Sequence, residues 1–185
     1  MFAGALMAST AAVFAQAQAP AQRQTPPAAA APAAGSGPSP VGTFNSWSAY
    51  TSAEGGAKTC FAATQPTGSK YSKPNVKRGD AFFMITSIPS KNIRNEASTI
   101  VGFAFKAGSD VFVDIDGQKF KMFFNDSTAE TSWAVPDQEA ALIAAMKKGT
   151  KMSVTATSGR GTEITDAYSL SGITAALNAV AKECP

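Results

Sequence analysis

Histidine is absent from all 185 residues. That absence removes Ser-His-Asp and Cys-His catalysis, imidazole metal ligation and histidine-based pH switching together. Cysteine is scarce: Cys60 and Cys184 are the only two, too few to hold a zinc ion alone. Charge is scarce at the amino end, where Arg23 is the sole charged residue before Val41. The formal net charge is only +3, too balanced for the strongly basic face of a nucleic-acid-binding protein. The apolar stretch from Met1 to Phe14 is too short to span a bilayer.

What is present divides into three segments. Residues 1–19 read as a secretory signal peptide: an apolar run of small residues leads to Val13-Phe14-Ala15 and Ala17-Gln18-Ala19, both at cleavage spacing. No Lys or Arg precedes the run, so either the true start lies upstream or the signal is atypical. Residues 20–40 form a Pro/Ala-rich disordered linker, too poor in large apolar side chains to offset the entropy of ordering. Its prolines make it extended and semi-rigid. Residues 41–185 form one β-rich domain. Export implies the periplasm or the cell surface, with no transmembrane helix in the mature chain.

Within the domain, short apolar runs alternate with turn residues. TFNSWSAYT and KTCFAATQ read as β segments, and PTGSKYSKPNVKRGD as a polar loop. AFFMITSI is apolar at consecutive positions, the pattern of a central strand buried on both faces. Asp116-Gly117 predicts a type I′ hairpin turn. The register that follows pairs Ile115 with Gln118, Val113 with Phe120 and Val111 with Met122, and sets Asp114 opposite Lys119. An EF-hand reading of Asp114 and Asp116 lacks the loop's alternating oxygen ligands and its terminal Glu. VPDQEAALIAAMKKGT predicts a helix with Asp137 as N-cap, Leu142, Ile143 and Met146 as its apolar stripe and Gly149 as an αL stop. SGITAALNAVAKEC predicts a second helix, with Ser171 as N-cap and Ile173, Leu177 and Val180 at helical spacing. The expected fold is mainly β: an antiparallel sandwich or curled sheet of about eight strands with two packed helices.

Few residues offer chemistry. Cys60 has no histidine, helix N-terminus or metal to lower its pKa. In an exported protein two cysteines most simply pair. A Cys60–Cys184 disulfide would tie the last helix to an early strand, and chain entropy assigns it roughly 5 kcal/mol. No cofactor or metal site is expected. Arg78-Gly79-Asp80 is the tripeptide that integrins read, although Gly-Asp before a strand is also ordinary turn chemistry. Trp133 follows a polar loop and is a candidate rim residue. Arg160 lies in TSGRGTEITD, which lacks the Lys-Ser/Thr and strand-to-helix setting of a phosphate loop. Arg78, Gly79, Asp80, Trp133 and Arg160 together form the candidate interaction surface.

FNSWSAYTSAEGGAKTCFAATQP, RNEASTIVGFAFKAGSDVFVDIDGQKFKMF, MKKGTKMSVTAT, YSLSGITAAL and the terminal KEC, in that order, resemble the invasion-associated locus B family of bacterial envelope proteins. The resemblance covers Phe44 to Cys184. It implies a compact exported domain at the periplasm or surface of a Gram-negative bacterium, with a role in host-cell entry suggested by the family's name. It carries over no catalytic residue. Many relatives also have cysteines around the central hairpin, where this chain has none. The expected function is a non-enzymatic domain that binds an envelope or host-cell protein and no nucleic acid. Two alternatives are a hydrolase using carboxylates on cell-wall or host polymers, and a periplasmic chaperone or stress factor.

Overall fold

Turn chemistry cuts the domain into β1 (Ser39–Phe44), β2 (Trp47–Ser52), β3 (Thr59–Thr64), β4 (Gly68–Tyr71), β5 (Phe82–Ile88), β6 (Ile93–Ile100), β7 (Val111–Ile115), β8 (Gln118–Phe123), β9 (Thr131–Ala134), α1 (Pro136–Lys148), β10 (Lys151–Thr157), β11 (Glu163–Ser169) and α2 (Ile173–Glu183). A computed structural model describes residues 37–53, 56–126 and 128–185. The signal peptide expected over 1–19, and the linker expected over 20–40 up to Ser36, lie outside them.

The strands form one sheet in the order β1-β2-β3-β5-β6-β9-β8-β7-β10-β11-β4, antiparallel at every pairing. The sheet curls back on itself. Phe83 of β5 and Tyr168 of β11 meet edge-to-face with ring centroids 6.1 Å apart, although five strands separate them in the sheet. Trp47 Nε1 of β2 donates to the Ser169 carbonyl of β11 at 3.0 Å, although seven strands separate these two in the sheet. The antiparallel, mainly β expectation with two helices therefore holds. The sheet has 11 strands rather than about eight, because the extra ones are short. Asn45, at φ 52°, splits TFNSWSAYT into the β1–β2 hairpin. The four residues of β4 are all exposed and carry no alternation.

Alternation decides the core. Trp47 and Ala49, Cys60 and Ala62, Phe83 and Ile85, Val111 and Val113, and Ile164 and Tyr168 all point inward and are buried. The β7–β8 hairpin has the expected register, with Asp116 and Gly117 at φ 49° and 96°, as a type I′ turn requires. Asp114 stands opposite Lys119, and its carboxylate accepts the Gly117 N–H at 2.9 Å.

Both helices bury the stripes expected of them, but their ends differ from expectation. Pro136 opens α1 at its first turn, Val135 is the N-cap, and Asp137 lies one position inside the helix. Proline's fixed φ starts a helix without a side-chain cap. Gly149 is extended (φ −78°, ψ 171°) rather than αL. Glycine is needed there for closeness: a Cβ would stand 2.6 Å from Ile115 Cγ2 and 3.0 Å from Asp116 Oδ2. Asp116 uses that proximity to accept from the Thr150 and Lys151 amides at 2.8 and 3.1 Å. Those bonds, the Thr150 amide first, hold its carboxyl below the usual carboxylate range. α2 is capped by Gly172, at φ 95°, and not by Ser171.

α2 lies against β1, β2 and β3. Its Ile173, Leu177 and Val180 are buried, and each contributes about 1.5–3 kcal/mol. Cys60 and Cys184 form a disulfide with Cα atoms 6.0 Å apart and a sequence separation of 124. The Arg94 guanidinium also donates to the Cys184 carbonyl at 2.7 Å. Because apolar burial and this bond keep α2 docked without the bridge, Cys60→Ala/Cys184→Ala is expected to destabilise the domain by about 2–4 kcal/mol. Urea unfolding of the oxidised wild type and the double variant measures this. A change below the error of that measurement would show that the bridge adds nothing to α2 docking.

Candidate functional site

The AFFMITSI strand is where the structure departs most from the pattern in the sequence. β5 is buried at Phe83, Ile85 and Ser87 only, while Phe82, Met84 and Thr86 are partly exposed. The strand is apolar on both faces, but the described residues cover only one. On the open face a groove of about 650 Å³ runs over β2, β3, β5 and β6, with Tyr50, Phe61, Phe82, Met84 and Ile100 on its floor. Pro38, at the start of the described domain, forms part of its wall. Tyr50 and Phe61 are cross-strand partners and stack at 5.2 Å with their planes 23° apart. Ser46, Ser48, Thr64, Gln65 and Thr67 are its uncharged polar lining, and no charged side chain lines the groove among the described residues.

The uncharged surface continues along the sheet. Strand pairing places Ser48, Ala63, Met84, Ser98, Trp133 and Phe123 in one cross-strand row. Trp133 and Phe123 lie 6.1 Å apart, and Phe123 is 40% exposed. Ser98 in this row is buried, but outward positions of an antiparallel sheet are ordinarily polar, so Met84, Trp133 and Phe123 on the outer face call for a covering partner.

The residues selected from sequence fall in three separate places. Trp133 belongs to the outer row. Arg160 is exposed at the β10–β11 turn. Arg78 turns inward. Its side chain is 8% exposed and its guanidinium forms a two-pronged pair with the fully buried Asp166, at 2.6 and 2.7 Å. It also donates to Ser69 Oγ at 2.8 Å and to the Val101 carbonyl at 3.1 Å, and lies over the Tyr71 ring. The Gly79 N–H donates to the Gly102 carbonyl at 2.9 Å, and Asp80 is exposed. Arg78-Gly79-Asp80 therefore presents its Asp but not its Arg, and the tripeptide acts as a clasp between β4, β6 and β11.

A third locus bears on carboxylate chemistry. Asp110 and Asp126 line a shallow cleft of about 460 Å³ beside Lys121. Asp110 is paired with Lys121 at 2.7 Å. Asp126 accepts from the Thr128 hydroxyl and amide at 2.6 and 2.7 Å and from the Ala129 amide. These bonds, the Thr128 hydroxyl first, hold its carboxyl below the usual range, the opposite of what a general acid needs. The arrangement fixes a loop.

The groove's floor was not among the residues selected from sequence. Its signal was present, however: AFFMITSI is apolar at both parities, and the pairing of Tyr50 with Phe61 across β2 and β3 needs only the register to be known.

Comparison with known proteins agrees with this architecture. A family model described as "Invasion associated locus B (IalB) protein" matches residues 47–181. The crystal structure of invasion associated protein B from Bartonella henselae superposes with a TM-score of 0.53 at 17% identity, covering 76% of this chain and 95% of that one; at this identity the likeness concerns the fold. No curated protein matches the chain. No described helix is long and apolar enough to cross a membrane. With the family match spanning Trp47 through Ala181, the chain belongs to the invasion associated locus B family.

Proposed function

We propose that this chain is an exported, non-enzymatic envelope or surface domain that binds another protein through the apolar groove of its outer sheet face. The observation that carries the reading is a groove floored by Tyr50, Phe61, Phe82, Met84 and Ile100 with no charged lining among the described residues. Aromatic and Met side chains are the groups enriched at protein interfaces, where charge is depleted from the core of the patch. A charge-free floor with an uncharged polar rim suits an apolar protein segment rather than a charged polymer. Export is supported by the Cys60–Cys184 bridge, which persists in oxidising compartments, and by the leader-like pattern of the first residues. The family's name links it to host-cell entry, so the partner belongs to the envelope or to a host cell.

A photo-reactive residue in place of Met84 tests this. In intact cells it is expected to give one discrete protein adduct, absent when the same residue replaces Lys148 on α1. The adducted protein, identified and purified, should bind the wild-type chain and bind Phe61→Asp about tenfold or more weakly, as for an anchor residue at an interface centre. Adducts to lipid alone, equal adducts from position 148, or undiminished binding by Phe61→Asp would overturn the reading. A chaperone would use the same groove; it differs in giving many adducts of unrelated unfolded chains.

A further inference from the structure

At one end of the curled sheet, three chain segments far apart in sequence enclose a second cleft, of about 670 Å³. The loop after β4 contributes Lys73 and Lys77, the segment after β6 contributes Phe103 and Ala104, and the β10–β11 turn contributes Arg160. No carboxylate lines it among the described residues. Three cations thus share one concave surface, in a chain whose net charge is only +3.

The cleft is built rather than incidental. Lys73 Nζ donates to the Arg160 carbonyl at 2.7 Å, joining two of the walls and using one of the ammonium's three donors. The Gly159 N–H donates to the Ala104 carbonyl at 2.9 Å, joining the third. The Ser72 N–H donates to the Glu163 carbonyl at 3.0 Å, and the Glu163 N–H returns to Ser72 Oγ at 2.9 Å. Inside the turn, the Thr162 N–H donates to Ser158 Oγ at 3.1 Å. The inward carboxylate of β11, Asp166, is occupied by Arg78 and does not neutralise the cleft.

We propose that this cleft binds a phosphate-bearing group. Its volume falls in the ~300–1,000 Å³ range of ligand sites. Lys and Arg side chains sharing one cleft are the usual recognition chemistry for phosphate, Arg as a fork and Lys as a point charge. The site differs from a phosphate loop in kind: its cations come from side chains on two segments that only the fold brings together. The same chemistry could come from a lipid headgroup or from a free phosphate ester. This site stands apart from the apolar groove and does not depend on it.

The test uses the full chain, Lys77→Ala, Arg160→Ala and their combination. Both side chains are exposed, so the variants are expected to keep the wild-type circular dichroism and unfolding midpoint. Lys147→Ala/Lys148→Ala, at the end of α1, removes the same charge elsewhere. One arm measures sedimentation with phosphatidylcholine vesicles with and without phosphatidylglycerol. The other follows amide chemical shifts of residues 72–77 and 158–162 on adding glycerol phosphate or pyrophosphate. Binding in the first arm alone identifies a lipid headgroup, and binding in the second identifies a free phosphate ester. Whichever arm binds, each cleft substitution should weaken it about fivefold, and the pair about 25-fold, as for basic groups at an anionic surface. The α1 control should change it little. Absence of binding in both arms, or equal weakening by the α1 control, would overturn the proposal.

Discussion

Gly172→Ala is expected to destabilise the domain by about 4 kcal/mol or more, among the largest effects of a single methyl group. Gly172 caps α2 at φ 95°, a conformation that L side chains resist. A Cβ there would also stand 2.6 Å from the Phe44 carbonyl carbon and closer still to its oxygen. The neighbour is backbone, so no side chain can move aside. The Ser46 N–H donates to the Ser171 carbonyl at 3.1 Å beside this contact, so relief by backbone movement would separate α2 from the β1–β2 turn. For a domain of this size each kcal/mol lowers Tm by about 2–4 °C, which places the loss at about 10 °C or more. Gly117→Ala is the matched control. Gly117 has φ 96°, but a Cβ there meets nothing within 4 Å, leaving only the backbone cost of about 1–2 kcal/mol. Equal losses in the two variants, measured by thermal unfolding, would show that the approach of Phe44 is not what demands glycine.

Asp166→Leu is expected to cost about 3–5 kcal/mol, because it strands the Arg78 guanidinium in the interior without its carboxylate. Asp166 is fully buried and also accepts from Ser69 Oγ at 2.6 Å. Removing both charges, in Arg78→Met/Asp166→Leu, should be less damaging than Asp166→Leu alone, since no buried charge is then left unpaired. Denaturant unfolding of the two single variants and the pair gives the coupling. Additive losses would mean that the two groups do not act as one unit. Because the pair holds β4 against β11, the single variant should also raise amide exchange across Gly68–Tyr71.

How much was legible follows from how local each determinant is. The β7–β8 hairpin could be read in full, since turn type, alternation and register are all set within Val111–Phe123. The buried stripe of α1 is local in the same way. β4 was not legible: its partner lies far along the chain, with Ser69 and Asp166 separated by 97 positions, and its own residues are exposed. Arg78 shows the same limit at the level of one side chain, because its role depends on a carboxylate 88 positions away. Helix ends were misread where Pro136 and Gly172 replaced a side-chain cap with backbone geometry. The groove was half legible: the doubly apolar β5 announced that both faces want cover, and only the fold shows which face the described residues leave open. The basic cleft was illegible, since Lys73 and Lys77 in one polar loop and Arg160 in a distant turn share nothing until the sheet curls.

The long reach of these contacts also sets an order of assembly. The β7–β8 and β10–β11 hairpins can close with short loops, whereas the indole of Trp47 reaches a carbonyl 122 positions away and the cysteine pair spans 124. Contacts of that range come after local ones, because closing a long loop must precede any reward from it. The β7–β8 and β10–β11 hairpins are thus expected to zip first, and β1, β2 and β3 to keep their inner faces wet until α2 arrives to cover them. The sulfur bridge is then a final latch on a structure already nearly shut.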